Sequence, residues 1–324
     1  MAGTRDIEDL VCADFDAALA RLQGEGARLD VIWPADAPHS AILTHEGKSL
    51  RLTAQPDAPP PCGALPAFAP EFVLTRAGNE AGAGRAGMTY RDLIPGRLGG
   101  HSIASHITIP DGGPVADWVH YHRVGFQLIV VRRGWVRVVY QDQGAPFVMQ
   151  AGDMVLQPPG LRHRVLEASA GLEVVEISCP AVHETFADHE LELPNGAARP
   201  GLVYGGQHFL HHGAAEADWA AWHGGEAQAT GLGAATAGLA EARIVRPGAA
   251  DGIEVPAHER ALVFGFVLEG SARLDFGEGH KLGPADAFVI PPREVWRLTG
   301  MSADFRLLHV TTRAGPLSRS DMEK

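Results

Sequence analysis

Apolar and polar residues alternate with a period of two along most of this chain, in short runs closed by glycine or proline. A strand needs that period to bury one face and wet the other. Between residues 88 and 180 the pattern predicts strands at His101–Pro110, Trp118–Val131, Trp135–Tyr140, Phe147–Met149, Asp153–Gln157, His163–Leu166 and Leu172–Ser178. Short strands in such number, divided by Gly and Pro turns, indicate a sandwich or a barrel. The N-terminal region reads differently. Ile7–Cys12 is a short β run, and Asp14 is placed to cap a helix running through Leu22, ended by Gly24 and Gly26. Arg28–Trp33, Ser40–Thr44 and Leu50–Thr53 then alternate as strands, the last two joined by a turn at His45-Glu46-Gly47-Lys48. Residues 55–87 are dense in Pro, Ala and Gly, including Pro59-Pro60-Pro61, and predict an extended linker.

The β pattern occurs twice. His258 through Gly270 aligns with His122 through Gly134, and Ala285 through Trp296 aligns with Gly152 through His163. Two tandem copies of one β unit follow. Residues 181–228 lie between them and carry His183, His189, His208, His211, His212 and His223. No acidic or cysteine partner sits at ligand spacing in that segment, so it predicts a solvated linker. Ala214–Trp222 within it predicts a short helix that packs its tryptophans on a barrel face.

Candidate chemistry concentrates in the first copy. His120 and His122 are two apart on a strand and so point the same way. Pro158 and Gly160 predict a tight turn that delivers His163 from a neighbouring strand. Three imidazoles, with Gln127 as a fourth donor, suit Zn, Fe, Ni or Mn and leave open positions for water or substrate. Histidines satisfied inside a barrel core are the competing reading, and the third histidine at the turn favours the metal.

These segments resemble the two motifs of the cupin superfamily. The first motif is matched by His120, His122, the spacing to position 127 and Gly134; the second by Gly152, Pro158, Gly160 and His163. The resemblance implies a mainly β chain of two jelly-roll barrels in tandem, a bicupin. The sequence departs from the pattern at Gln127, where most cupins carry Glu; glutamine ligates through its amide oxygen but has no charge and cannot act as a base. Some cupin sugar isomerases use a His-His-Gln-His set, and some cupin dioxygenases use three histidines alone. In the second copy Pro256, Val263 and Trp296 replace His120, Gln127 and His163, and only His258 is kept. That barrel reads as degenerate and metal-free, with Trp296 filling the space. The N-terminal order is similar to a half-module of the glyoxalase, or vicinal-oxygen-chelate, fold, without that family's metal-ligating histidine on its opening strand.

Composition narrows the function classes. The chain has 324 residues, 45% of them hydrophobic and 20% charged, as in ordinary globular proteins. A net charge of -12 argues against nucleic acid or anionic membrane as a partner. The residues at the start show no basic region followed by an apolar core, so no signal peptide is expected, and no apolar run approaches the length a membrane helix requires. Cys12, Cys62 and Cys179 form no disulfide or zinc pattern, read as small hydrophobes and fit a reducing cytoplasm. Arg123, Arg132, Arg137, Arg162 and Arg164 read as partners for the acidic excess or as part of the interface between barrels; Arg133 shares parity with Gln127 and is a catalytic candidate, as are Tyr90 and Tyr140. Trp118 shares parity with His120 and is expected to wall the pocket.

The sequence thus predicts an α/β extension (1–54), a linker (55–87), a metal-binding barrel (88–180), an inter-barrel linker (181–228), a degenerate barrel (229–314) and a tail (315–324). The expected function is that of a metal-dependent enzyme for a small, oxygen-rich, chelating and anionic substrate. One divalent ion is expected, Fe(II) first, which implies a dioxygenase. Zn, Mn or Ni would imply an isomerase or lyase instead, and a non-catalytic sensor is the third reading. Edge strands and the degenerate barrel predict a homodimer.

Overall fold

The computed structural model describes residues 7–57, 68–83 and 87–314. Cys62, the Pro59-Pro60-Pro61 run and the expected tail from 315 lie outside the described residues.

The N-terminal module forms as its pattern predicts. The strand Ile7–Val11 leads to the helix Phe15–Gly24, whose Asp14 side chain accepts from the Ala17 amide at 3.0 Å. Three strands follow, Arg28–Trp33, Ser40–His45 and Lys48–Thr53. Phe15, Leu22, Leu29, Ile32, Leu43 and Leu52 close a small core beneath the helix. The module does not stand apart. Its strand Arg28–Trp33 pairs with Thr185–Ala187, which pairs in turn with the strand His120–His122. The module thereby extends the sheet that bears His120, His122 and His163, three of the candidate ligands.

Two β barrels follow in tandem, and their registers repeat. In the first, Leu128 faces Leu156 and Gln127 faces Ser178; in the second, Phe264 faces Val289 and Val263 faces Thr311. Each barrel turns the outer face of a seven-stranded sheet toward the other. Phe126, Leu128, Val130, Val175 and Ile177 from the first share one core with Phe264, Phe266, Leu308 and Val310 from the second. Alternation explains this: odd and even residues of one strand serve the barrel interior and the joint between barrels.

Both expected linkers carry strands, which corrects the reading from composition. Val73–Thr75 pairs with Ala287–Val289 at the edge of the second barrel. In the segment 181–228, Leu210–His212 pairs with Met154–Leu156 of the first barrel, while Trp219–Trp222 and Gly225–Ala229 extend the second. Trp219–Trp222 is a strand and not a helix; only Ala214–Glu216 makes a 3-10 turn. Gly, Pro and His give no core alternation, yet such segments satisfy the unpaired backbone groups of barrel edges. His212 and His183 are buried there, so the solvated reading fails for both.

Cys179 is buried beside Ser102, and burial pushes its thiol up to about 12, an unreactive state that fits the small-hydrophobe reading. No helix among the described residues is long and apolar enough to cross a membrane.

A polar network ties the barrels together. His106 Nδ1 accepts from Arg91 at 3.1 Å and its Nε2–H donates to Glu173 at 2.8 Å, while its ring lies 5.6 Å from Phe266 of the second barrel. Arg91 also donates to the Ala285 carbonyl, and Arg132 pairs with Glu173. Burial, and then the Arg91 guanidinium, push His106 down to about 4. Its folded value lies below the unfolded value of about 6.5, so the unfolded chain takes up the proton first. Stability is complete above that pH, declines as pH falls toward about 4 and levels off below. The melting temperature should therefore fall across that window, and less steeply in His106→Gln. Parallel pH curves for the two proteins would refute this.

Candidate metal centre

His120, His122 and His163 meet inside the first barrel. Strand pairing sets His120 directly opposite His163, and alternation puts His122 on the same face. Each histidine offers one ring nitrogen, and the three nitrogens lie within 4.8 Å of one another. All three rings are at most 5% exposed.

The other nitrogen of each ring is held. His120 Nδ1 donates to the Trp118 carbonyl at 2.8 Å and His163 Nδ1 to the Leu161 carbonyl at 2.9 Å. His122 Nδ1 bonds the Thr185 hydroxyl at 3.0 Å. Anchoring Nδ1 fixes the ring orientation and leaves Nε2 as the donor each histidine can turn to a cation. Gln127 is 1% exposed, its amide N–H donates to Glu176 at 3.2 Å, and its buried Oε1 has no partner among the described residues. A buried carbonyl oxygen without a donor costs roughly 1–3 kcal/mol, and a cation would remove that cost. Three imidazoles and one amide oxygen form a neutral donor set that fits a first-row divalent ion.

A cavity of about 90 Å³ opens onto the histidines. Its wall is mostly apolar, including Ile107, Ile129, Val138, Met149 and Val174. Polar groups border it from Tyr90, Tyr140, Gln157, Glu176 and also Arg164, which the sequence reading assigns only to the acidic excess or the interface between barrels. Tyr140 accepts from Gln157 Nε2 at 2.9 Å, and burial raises its phenol well above the ordinary tyrosine value, so it stays protonated. Tyr90 and Tyr140, both catalytic candidates from the sequence, border the cavity.

Two other expectations are corrected. Arg133 does not border the cavity; its side chain is 70% exposed and pairs with Glu173 at 3.4 Å. The cause is a register shift between Val131 and Arg133, which breaks the parity counted from Gln127. Trp118 does not line the cavity either. Its strand begins only at His120, so alternation does not reach back to it, and its indole packs against the N-terminal core. What Trp118 gives the site is its carbonyl.

Glu176 and His183 were missed. Glu176 borders the cavity from the strand Leu172–Cys179, on the same face as Leu172 and Val174. A glutamate in phase with Leu172 and Val174 on that strand was a legible signal. His183 had none. It lies in a loop, buried edge-on to His122 with ring centroids 5.6 Å apart, its Nδ1 bonded to the Pro180 carbonyl and its Nε2 without a partner among the described residues. Burial lowers its pKa and keeps it neutral.

Comparison with known proteins adds the following. Residues 105–178 match the family described as the cupin domain. No curated protein matches the sequence. Among solved structures, a point mutant of Bacillus subtilis oxalate decarboxylase is similar with a TM-score of 0.54 and 11% identity, over 76% of this chain and 78% of that chain. Protein Ylba from E. coli gives 0.55 and 13%, over 79% and 96%. Lactobacillus farciminis oxalate decarboxylase in its formate complex gives 0.53 and 12%, over 75% and 87%. At such identities the likeness concerns the fold, two cupin barrels in tandem. Another structure of the Bacillus enzyme is described by its Mn(II) centres.

Proposed function

Because residues 105–178 match the cupin domain and the fold is that of two cupin barrels, we propose that the first barrel is the catalytic centre of a metal-dependent enzyme. The observation that carries this reading is the convergence of three anchored, buried histidines at an apolar cavity that also admits a carboxylate, Glu176. The substrate is a small metabolite with two adjacent oxygens to chelate the ion and an apolar body to fill the wall. The donor set is neutral, so the ion keeps its positive charge and favours an anionic chelate.

His120, His122 and His163, with Gln127, would hold the ion. Bound there, it would supply either Lewis-acid polarisation of a substrate oxygen or, as Fe(II), a place for dioxygen chemistry. The chain's own groups do the rest. Thr185 and the Trp118 and Leu161 carbonyls fix the imidazoles. The aliphatic wall excludes water. Protonated Tyr140 donates a hydrogen bond to a substrate oxygen, and Glu176 takes or returns a proton at a substrate carbon or hydroxyl.

An Fe(II) dioxygenase is the first reading, since three neutral histidines and a dry apolar wall suit it. Glu176 favours a second, in which a Zn, Mn or Ni ion and a carboxylate base run an isomerisation or a lyase or decarboxylase step; the Mn(II) of the fold relatives supports it. An oxygen electrode separates the two on a panel of diketones, catechols and hydroxy acids. Stoichiometric oxygen uptake is expected of the first. Turnover that persists in strictly anaerobic buffer replaces it with the second. If no member of the panel turns over in metal-loaded protein, the binding or sensor role takes their place.

A further inference from the structure

The second barrel has its own cavity, of about 170 Å³, where the first barrel has its metal site. Pro256, His258 and Val263 on its wall are the counterparts of His120, His122 and Gln127. His309 stands opposite Gly265 as Glu176 stands opposite Ile129, so the two barrels place a polar residue at the same inward position.

Several buried polar atoms around this cavity lack partners among the described residues. His309 is 4% exposed, and neither of its ring nitrogens has a hydrogen bond. Thr311 Oγ1 and His258 Nε2, on the same wall, are also buried and unbonded. Trp296, whose ring lies 5.7 Å from His309, has an unpaired Nε1 as well. Folded proteins leave few such atoms, and here they cluster. The charge is of one sign. Arg243, held opposite His309 by strand register, and Arg260 at the exposed mouth both border the cavity, and no carboxylate among the described residues does. Arg243 keeps only a 3.5 Å contact to Glu241, and Arg260 a 3.5 Å contact to the Thr312 carbonyl. Burial, and then the two guanidiniums, push His309 down to about 3, so it is neutral near pH 7, with one donor and one acceptor nitrogen. Two guanidiniums repel a cation and suit an anion.

We propose that the second barrel is a metal-independent binding site for a small hydroxy- or keto-carboxylate. The carboxylate lies against Arg243 and Arg260, and the second oxygen reaches His309 and Thr311. At roughly 30 Å³ per water-sized group, the cavity holds a ligand of about six non-hydrogen atoms. Loss of the metal-ligand positions in this copy thus leaves a site of opposite charge preference, in place of an inert barrel.

The test is calorimetric titration of the full-length protein with L-lactate and with pyruvate, and with neutral lactamide as control. In chelator-treated protein, where the first barrel holds no ion to take a chelating acid, one equivalent of either carboxylate should bind saturably and lactamide should not. Affinity should fall by roughly tenfold or more in Arg243→Gln, since one charge-assisted pair is lost. It should be unchanged in His163→Ala. Arg260→Gln, at the exposed mouth, reads the same contact if the first variant does not fold. Absence of saturable binding in the wild type overturns the site. Binding lost in His163→Ala but kept in Arg243→Gln overturns it too, because the carboxylate would then sit in the first barrel. Lactamide binding as tightly as lactate would exclude the anionic class.

Discussion

A His163→Ala variant is expected to purify without the one equivalent of divalent metal expected of the wild type. His163 is one of three imidazoles whose donor nitrogens lie within 4.8 Å of one another. Removing it leaves two histidines and a neutral amide. Loss of an outer partner of a ligand already costs about 10–100-fold in metal affinity, and loss of the ligand itself must cost more. Elemental analysis of both proteins, purified without air, reads the result directly. A second readout guards against a folding artefact, because His163 also packs between His120 and Tyr140, at centroid distances of 4.2 and 5.6 Å. A ligand bound only to the folded state adds about 2.7 kcal/mol at a hundred times its dissociation constant. A chelator should therefore lower the melting temperature of the wild type and leave that of the variant unmoved. Iron in the wild type directs the search to oxygen-consuming cleavage, and zinc, manganese or nickel to proton transfer. Equal metal content in the two folded proteins would remove His163 from the site.

The second large effect is expected at Glu176. Glu176→Gln should lower turnover by roughly 10²–10⁴-fold, the usual contribution of a positioned general acid or base, while metal content stays near one equivalent. The change is nearly isosteric, and Glu176 borders the cavity while accepting from Gln127 at 3.2 Å. These two facts give distinguishable outcomes. As a proton carrier, Glu176 is needed for turnover but not for metal. As an orienter of Gln127 alone, its loss would weaken metal binding and leave turnover of the loaded enzyme close to wild type. Measuring kcat on metal-saturated protein, beside the metal dissociation constant, tells the two apart. Retained kcat with weakened metal would assign Glu176 to positioning only.

Most of the candidate site was legible because it is local. His120 and His122 share a face by the period of a strand, and the turn at Pro158 and Gly160 fixes where His163 emerges. Gln127 falls inside the same count, and its orphaned oxygen agrees with a donor role. Counting fails where the strand is not regular. The register shift before Arg133 and the loop before His120 carry Arg133 and Trp118 out of the cavity. Composition failed in a different way. The histidine-rich segment between the barrels looked solvated, yet its strands complete both barrels, because edge backbone needs partners whatever the side chains are.

By itself, then, the sequence determined the β class, the repeated barrel and the inward direction of His120, His122, Gln127 and His163. Those follow from periodicity and turn chemistry within a few residues. Only the tertiary structure decided that Thr185 braces His122 and that Glu176 faces Gln127's neighbourhood. It alone also gathered His309, Thr311 and two arginines around a second cavity. These contacts join residues that lie far apart along the chain, and their register is set by which strands pair. Strand pairing depends on the burial of the whole sheet and not on any local run of residues.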